Sequence, residues 1–202
     1  MVTVYPAGVN ASWQGPSYAV EGVDDAAFTT DLIEHIEENF CIDEKRIYAT
    51  GHSNGGGFVG LLACSADHGG QFAAFAGVAS ALYTDVSGDT TCSPSRSPLP
   101  ILESHGTADT TVPYNGGDGA GGKLPAIPDW LSRWATRNQC SASVAIDKGN
   151  GLTEQRWTCG GIEGLQRHFK MEGQSHDYPG QDNPQIWISP EIIAFFNAHS
   201  RP

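Results

Sequence analysis

Three side chains far apart along the chain could together run a covalent hydrolysis. Ser53 lies in Gly51-His52-Ser53-Asn54-Gly55, a G-x-S-x-G sequence. A serine in this pattern sits on a sharp strand-to-helix turn, where flanking glycines avoid collisions that a Cβ would make with strand and helix. The pattern also occurs by chance, and such a serine can be a plain turn residue. Here residues 46–50 read as a short buried strand and residues 56–64 as an apolar helix, which is the context the motif needs. The N-terminus of that helix aims unpaired N–H groups, first that of Asn54, at the place where an oxyanion would develop.

A serine hydroxyl is a weak nucleophile at neutral pH. It needs a base, and the base needs a carboxylate to fix its tautomer. One known chain order for such a relay is nucleophile, acid, histidine, with the later residues just beyond strand ends. Asp109 follows the strand read at 100–105; Glu103 lies inside that strand, and Asp118 and Asp129 lie in or after a glycine-rich loop. The competing reading of Asp109 is a turn residue bonded to its own backbone. Of seven histidines, only His176 lies in a loop, after a strand (164–171), and downstream of the acid. His35, His52 and His105 come too early, His68 is in a polar turn, His168 is inside a strand, and His199 is at the terminus.

The elements that must position these groups alternate between strand and helix. Residues 2–5 read as a strand, and 23–40 as an amphipathic helix with Phe28, Leu32, Ile33 and Ile36 on its core face. Phe72 to Val78 reads as a strand or as a short helix plus strand, 80–98 as a loop, and Asn115 to Gly122 as a flexible connection without the ending of a phosphate loop. A helix over 129–138, strands over 143–146, 154–158 and 164–171, and a helix over 190–198 with Ile192, Ile193, Phe195 and Phe196 buried complete the chain. This alternation predicts one α/β domain over residues 1–202 with a mainly parallel sheet.

The 202 residues carry a formal net charge of −12, and the isoelectric point is near 4.8. That balance argues against nucleic acid as a partner, because its phosphates would repel the chain. No apolar run approaches the ~20 residues that span a bilayer, so no membrane partner is expected. The five cysteines stand at 41, 64, 92, 140 and 159 without a C-x-x-C pair, so neither a metal site nor a cofactor is expected. Asn10-Ala11-Ser12 is a glycosylation sequon; with the cysteines it points to an oxidising, extracellular compartment.

Val4-Tyr5-Pro6, Gly22-Val23-Asp24-Asp25, Arg46 to Gly56, His105-Gly106-Thr107-Ala108-Asp109 and Gly173 to Pro179 together resemble secreted fungal feruloyl esterases. These belong with the polyhydroxybutyrate-depolymerase-like α/β-hydrolases. The resemblance implies an α/β-hydrolase fold and hydrolysis of hydroxycinnamoyl esters of plant cell-wall polysaccharides. It assigns Ser53, Asp109 and His176 as the triad, and in the hydrolysis they would run the Asn54 N–H would donate to the oxyanion. Trp13, Gln14, His52 and Tyr178 become the expected substrate contacts, although Trp13 could equally pack over the sheet. The partner would be a feruloylated polysaccharide or a small hydroxycinnamate ester. The resemblance also implies disulfides Cys41–Cys64 and Cys140–Cys159, each closing a loop of roughly 20 residues worth ~3 kcal/mol, with Cys92 unpaired.

The family carries early strands and a His-Gly oxyanion loop ahead of the strand that matches 2–5, and this sequence does not, so the fold is expected to be N-terminally truncated. The strand at 2–5 is then expected to move beside 46–50 by a right-handed crossover. A dimer covering an exposed sheet edge, or a fragment of reduced stability, would be the other outcomes. A short-chain polyester or acetyl esterase, and a catalytically silent binder of carbohydrate or aromatic esters, are the rival functions.

Overall fold

The computed structural model describes residues 1–88 and 92–202. Among these, six strands form the main sheet in the order β1-β2-β3-β8-β7-β6. These are β1 (Tyr48–His52), β2 (Ala74–Val78), β3 (Ile101–Gly106), β6 (Cys140–Gly149), β7 (Leu152–Cys159) and β8 (Ile162–Met171). The pairs β1–β2, β2–β3 and β3–β8 are parallel; β8–β7 and β7–β6 are antiparallel. Four helices flank the sheet: α1 (Asp25–Asn39), α2 (Asn54–Ala63), α3 (Ile127–Arg137) and α4 (Ile188–Asn197).

β2 is buried at every position, as a strand covered on both faces must be, and its sequence Ala-Phe-Ala-Gly-Val is correspondingly apolar and small. On one face Phe75 and Ile101 pack with α2 and α3 through Phe58, Leu62, Trp130, Leu131 and Trp134, and with Ile33 of α1. On the other face Ala76, Leu102, Phe169 and Met171 pack against Ile188, Ile192, Phe195 and Phe196 of α4. A mainly parallel sheet with helices on both faces and a serine at the β1–α2 turn is the α/β-hydrolase fold.

The C-terminal tail fastens the base of β1. Tyr48 Oη donates to the His199 carbonyl (2.7 Å), and Arg46 to that of Asn197 (2.7 Å). Arg201 donates its backbone N–H to Lys45 O (2.8 Å), and its guanidinium to Glu44 O and Gly70 O.

Several elements differ from the sequence reading. Residues 2–5 form no strand and do not slide beside β1, and Val2, Val4 and Tyr5 are exposed. Their β-propensity alone cannot hold a strand that lacks a ladder partner. β1 is instead the edge of the sheet. Phe28 and Ile193 lie on outer faces of their helices and are exposed, while Ile33 and Ile192 carry the burial. The glycine-rich stretch is an antiparallel hairpin of β4 (Gly117–Gly119) and β5 (Gly122–Leu124) rather than a structureless connection.

The disulfides are Cys64–Cys92 and Cys140–Cys159, so the expected Cys41–Cys64 bridge is corrected. Cys41 leaves α1 on its solvent side and is free. Cys64 caps α2, and its carbonyl accepts the Ser93 N–H (2.8 Å), which brings Cys92 alongside. The Cys140–Cys159 bridge joins residues directly opposite in the β6–β7 ladder.

Candidate active site

The β1–α2 turn places Ser53 at φ 56°, ψ −120°, a backbone conformation that a side chain rarely adopts. Its own main chain fixes it there. Ser53 N–H donates to Val78 O (2.9 Å), and Ser53 O accepts from Gly57 (3.0 Å) and Ala81 (2.9 Å). Gly51 permits the turn, since a Cβ there would run into the Gly55 carbonyl group; at Gly57 it would strike the Ala81 carbonyl. Gly55, which the motif also specifies, has only the Trp13 ring nearby, at 3.9 Å.

His176 reaches this turn from the loop after β8, and Asp109 from the loop after β3. His176 Nε2 lies 2.8 Å from Ser53 Oγ, and His176 Nδ1 lies 2.7 Å from Asp109 Oδ2. The three groups are thus one unbroken hydrogen-bonded chain. Asp109 Oδ1 accepts the N–H groups of Thr111 (2.9 Å) and Val112 (2.8 Å), so the turn geometry and the relay geometry coexist in one side chain. Burial works to raise the Asp109 pKa, but hydrogen bonds from His105, His176 and Val112 outweigh it and hold it at about 2. Asn54 is the first residue of α2, so its N–H has no acceptor within the helix and stands beside the serine.

The other sequence-derived contacts separate into rim and scaffold. Trp13 stacks on Phe58 (centroids 5.0 Å apart, planes 7° apart), and its backbone is gripped by the Asn54 amide through N–H to Oδ1 (2.7 Å) and O to Nδ2 (3.1 Å). Gln14 is corrected from substrate contact to scaffold. Its Oε1 accepts the N–H groups of Asp25 (2.6 Å) and Ala26 (3.2 Å) at the start of α1, and its N–H donates to Asp25 Oδ2 (2.6 Å). His52 donates Nε2–H to the His176 carbonyl (3.0 Å) and so braces the histidine loop; burial lowers its pKa. Tyr178 is exposed at the rim, edge-on to His52 (6.0 Å), with its hydroxyl on Ser189 (2.9 Å). Asn10 is exposed in a 3-10 turn, open to solvent as a glycan acceptor must be.

A second layer of buried ionisable groups lies behind Asp109. Glu103 and His105 alternate on one face of β3, and both are fully buried. His105 Nδ1 is 3.0 Å from Glu103 Oε1; its Nε2 is 2.8 Å from Val112 O and 3.3 Å from Asp109 Oδ2. Glu103 Oε2 faces His168 Nδ1 of β8 (2.8 Å), whose Nε2 meets the Tyr114 hydroxyl (3.0 Å). Burial alone would drive Glu103 up, but His105 and His168 bring it down to about 2. Burial would drive His105 down, but Glu103 and Asp109 raise it to about 10. The available signal is two ionisable residues two apart in a strand that is buried throughout.

Among the described residues, only Cys64, Asp85 and Cys92 converge as cation ligands might. Both sulfurs are spent in a disulfide, and Asp85 is taken by Arg137 (2.8 and 3.0 Å).

The chain is 34% identical over 147 residues to feruloyl esterase B of Piromyces equi, covering 69% of this chain and 27% of that protein. It is 34% identical over 123 residues to the probable feruloyl esterase C of Aspergillus clavatus, covering 61% and 40% respectively. A bifunctional acetylxylan esterase/xylanase of Neocallimastix patriciarum is 24% identical over 192 residues, 92% of this chain and 26% of that one. The chain therefore spans well under half the length of these curated relatives. A crystal structure of an Arabidopsis thaliana SOBER1 variant aligns over 96% of this chain and 70% of its own, with 13% identity and a TM-score of 0.48. No family model matches the chain.

Proposed function

We propose that the chain is a serine carboxylesterase that hydrolyses hydroxycinnamoyl esters of plant cell-wall polysaccharides through an acyl-enzyme on Ser53. The observation that carries this reading is the continuous Ser53–His176–Asp109 hydrogen-bonded chain at a serine with positive φ. His176 Nε2 takes the hydroxyl proton as Ser53 Oγ attacks the ester carbonyl, while Asp109 holds the Nδ1–H tautomer and balances the imidazolium. The Asn54 N–H donates to the oxyanion. The proton then passes from Nε2 to the leaving alkoxide. Water, deprotonated by the same nitrogen, releases the acid and restores Ser53.

The feruloyl esterase relatives support an aromatic acyl group, for which the exposed Tyr178 and the half-buried Trp13 offer ring faces at the rim. The acetylxylan esterase relative, aligned over 92% of the chain, supports a second reading in which the acyl group is acetate on xylan. Two disulfides favour an extracellular setting.

The test is hydrolysis of methyl ferulate and of acetylated xylan by the wild type and by Ser53→Ala. Turnover in the wild type and its loss in the variant are expected; equal rates would end the reading. The better of the two substrates selects the acyl group.

A further inference from the structure

Every atom facing the His105 ring nitrogens is an acceptor. Nδ1 meets the Glu103 carboxylate, and Nε2 meets the Val112 carbonyl and Asp109 Oδ2. A neutral imidazole would aim a lone pair at an oxygen on one side or the other, in a place from which water is excluded. With both carboxylates ionised, only the doubly protonated ring satisfies all three contacts. Asp109 then lies between two imidazoles, with His176 and His105 on Oδ2 and two backbone N–H groups on Oδ1.

We propose that His105, held as an imidazolium by Glu103, is a positioning residue that fixes Asp109 from behind and lowers the proton affinity of the Asp109–His176 pair. The proposal rests on the serine-esterase reading above. A cation beside a carboxylate–imidazole pair disfavours the pair's protonated form. The pair therefore stays ready to accept the serine proton at a lower pH than it would alone, and the acid limb of the rate profile is displaced downward.

The other charged and titratable groups around this cluster do not supply the same effect. Tyr114 presents its ring edge-on to His105 (5.8 Å), and burial with the nearby Glu103 and Glu172 charges raises its hydroxyl pKa. Lys170 lies opposite His105 in the β3–β8 register, but its ammonium is over the Tyr114 ring (5.7 Å). His168 sits on the far oxygen of Glu103. From the front, His52 contacts the His176 carbonyl rather than Asp109.

Two measurements test this. The first needs no turnover: nitrogen NMR shifts of the His105 ring in the wild type between pH 5 and 8. Both nitrogens protonated throughout is expected, and Glu103→Gln should lower the pH at which a proton is lost. A neutral His105 ring in the wild type overturns the proposal. The second is the pH dependence of kcat/KM for methyl ferulate in His105→Gln, which keeps a donor but no charge. An acid limb moved upward by about one pH unit is expected. A variant that loses turnover with its acid limb unmoved marks a purely structural His105 and overturns the proposal. Ser53→Ala is the control: if it hydrolyses like the wild type, the esterase reading itself has failed, whereas a silent Ser53→Ala with an unmoved limb sinks the His105 proposal alone.

Discussion

At Asp109 both carboxylate oxygens are saturated by donors, two from the backbone and two from imidazoles. A carboxamide cannot accept on both atoms, so Asp109→Asn must turn an N–H toward a donor on one side or accept the wrong His176 tautomer. A drop in kcat on the order of 10⁴-fold with the fold retained is expected, read by steady-state kinetics and circular dichroism. The three members of the candidate relay are legible in the sequence because chain order and loop position favour one acid and one histidine. Glu103 and His105 are visible too, but Glu103 lies inside the strand and His105 ahead of the acid, so neither reads as part of the relay. Sequence does not say that one face of β3 looks onto the back of that acid. Gln14 illustrates the same limit: an amide beside Trp13 reads as a ligand contact until α1 is seen to start on it.

At the scale of elements, the β1–α2 turn depends on close backbone approach. At Gly57 an added Cβ would press on the carbonyl of Ala81, the residue whose N–H closes the turn by donating to Ser53 O. Gly57→Ala is therefore expected to cost about 3 kcal/mol in denaturant unfolding and to lower turnover more than KM changes, because the serine shifts with the helix. The helices and the parallel strands were readable from apolar period and from turn residues. Residues 2–5 were misread because their Val-Thr-Val-Tyr pattern is a genuine strand preference, while pairing is a property of neighbours that a local pattern cannot show. The disulfide partner of Cys64 was missed for a like reason: separation along the chain does not reveal that the loop at 92–93 folds back onto the end of α2.

Across the whole molecule, the buried Glu103–His105 pair ties stability to pH on both sides. Glu103 is depressed from 4.5 to about 2, so its contribution is complete above 4.5 and fades as pH falls through about 2. His105 is raised from 6.5 to about 10, so its contribution is complete below 6.5 and fades as pH rises through about 10. Unfolding free energy measured from pH 6.5 to 10 should fall in the wild type and fall less in His105→Gln; parallel curves would contradict the ion pair.

The tail that crosses the foot of β1 has a practical outcome of its own. Arg201 supplies donors to Glu44, Lys45 and Gly70. Arg201→Ala would strip the guanidinium donors away. The strand leading into Ser53 would then fray from its far end, and such a variant would lose potency without any change near the chemistry.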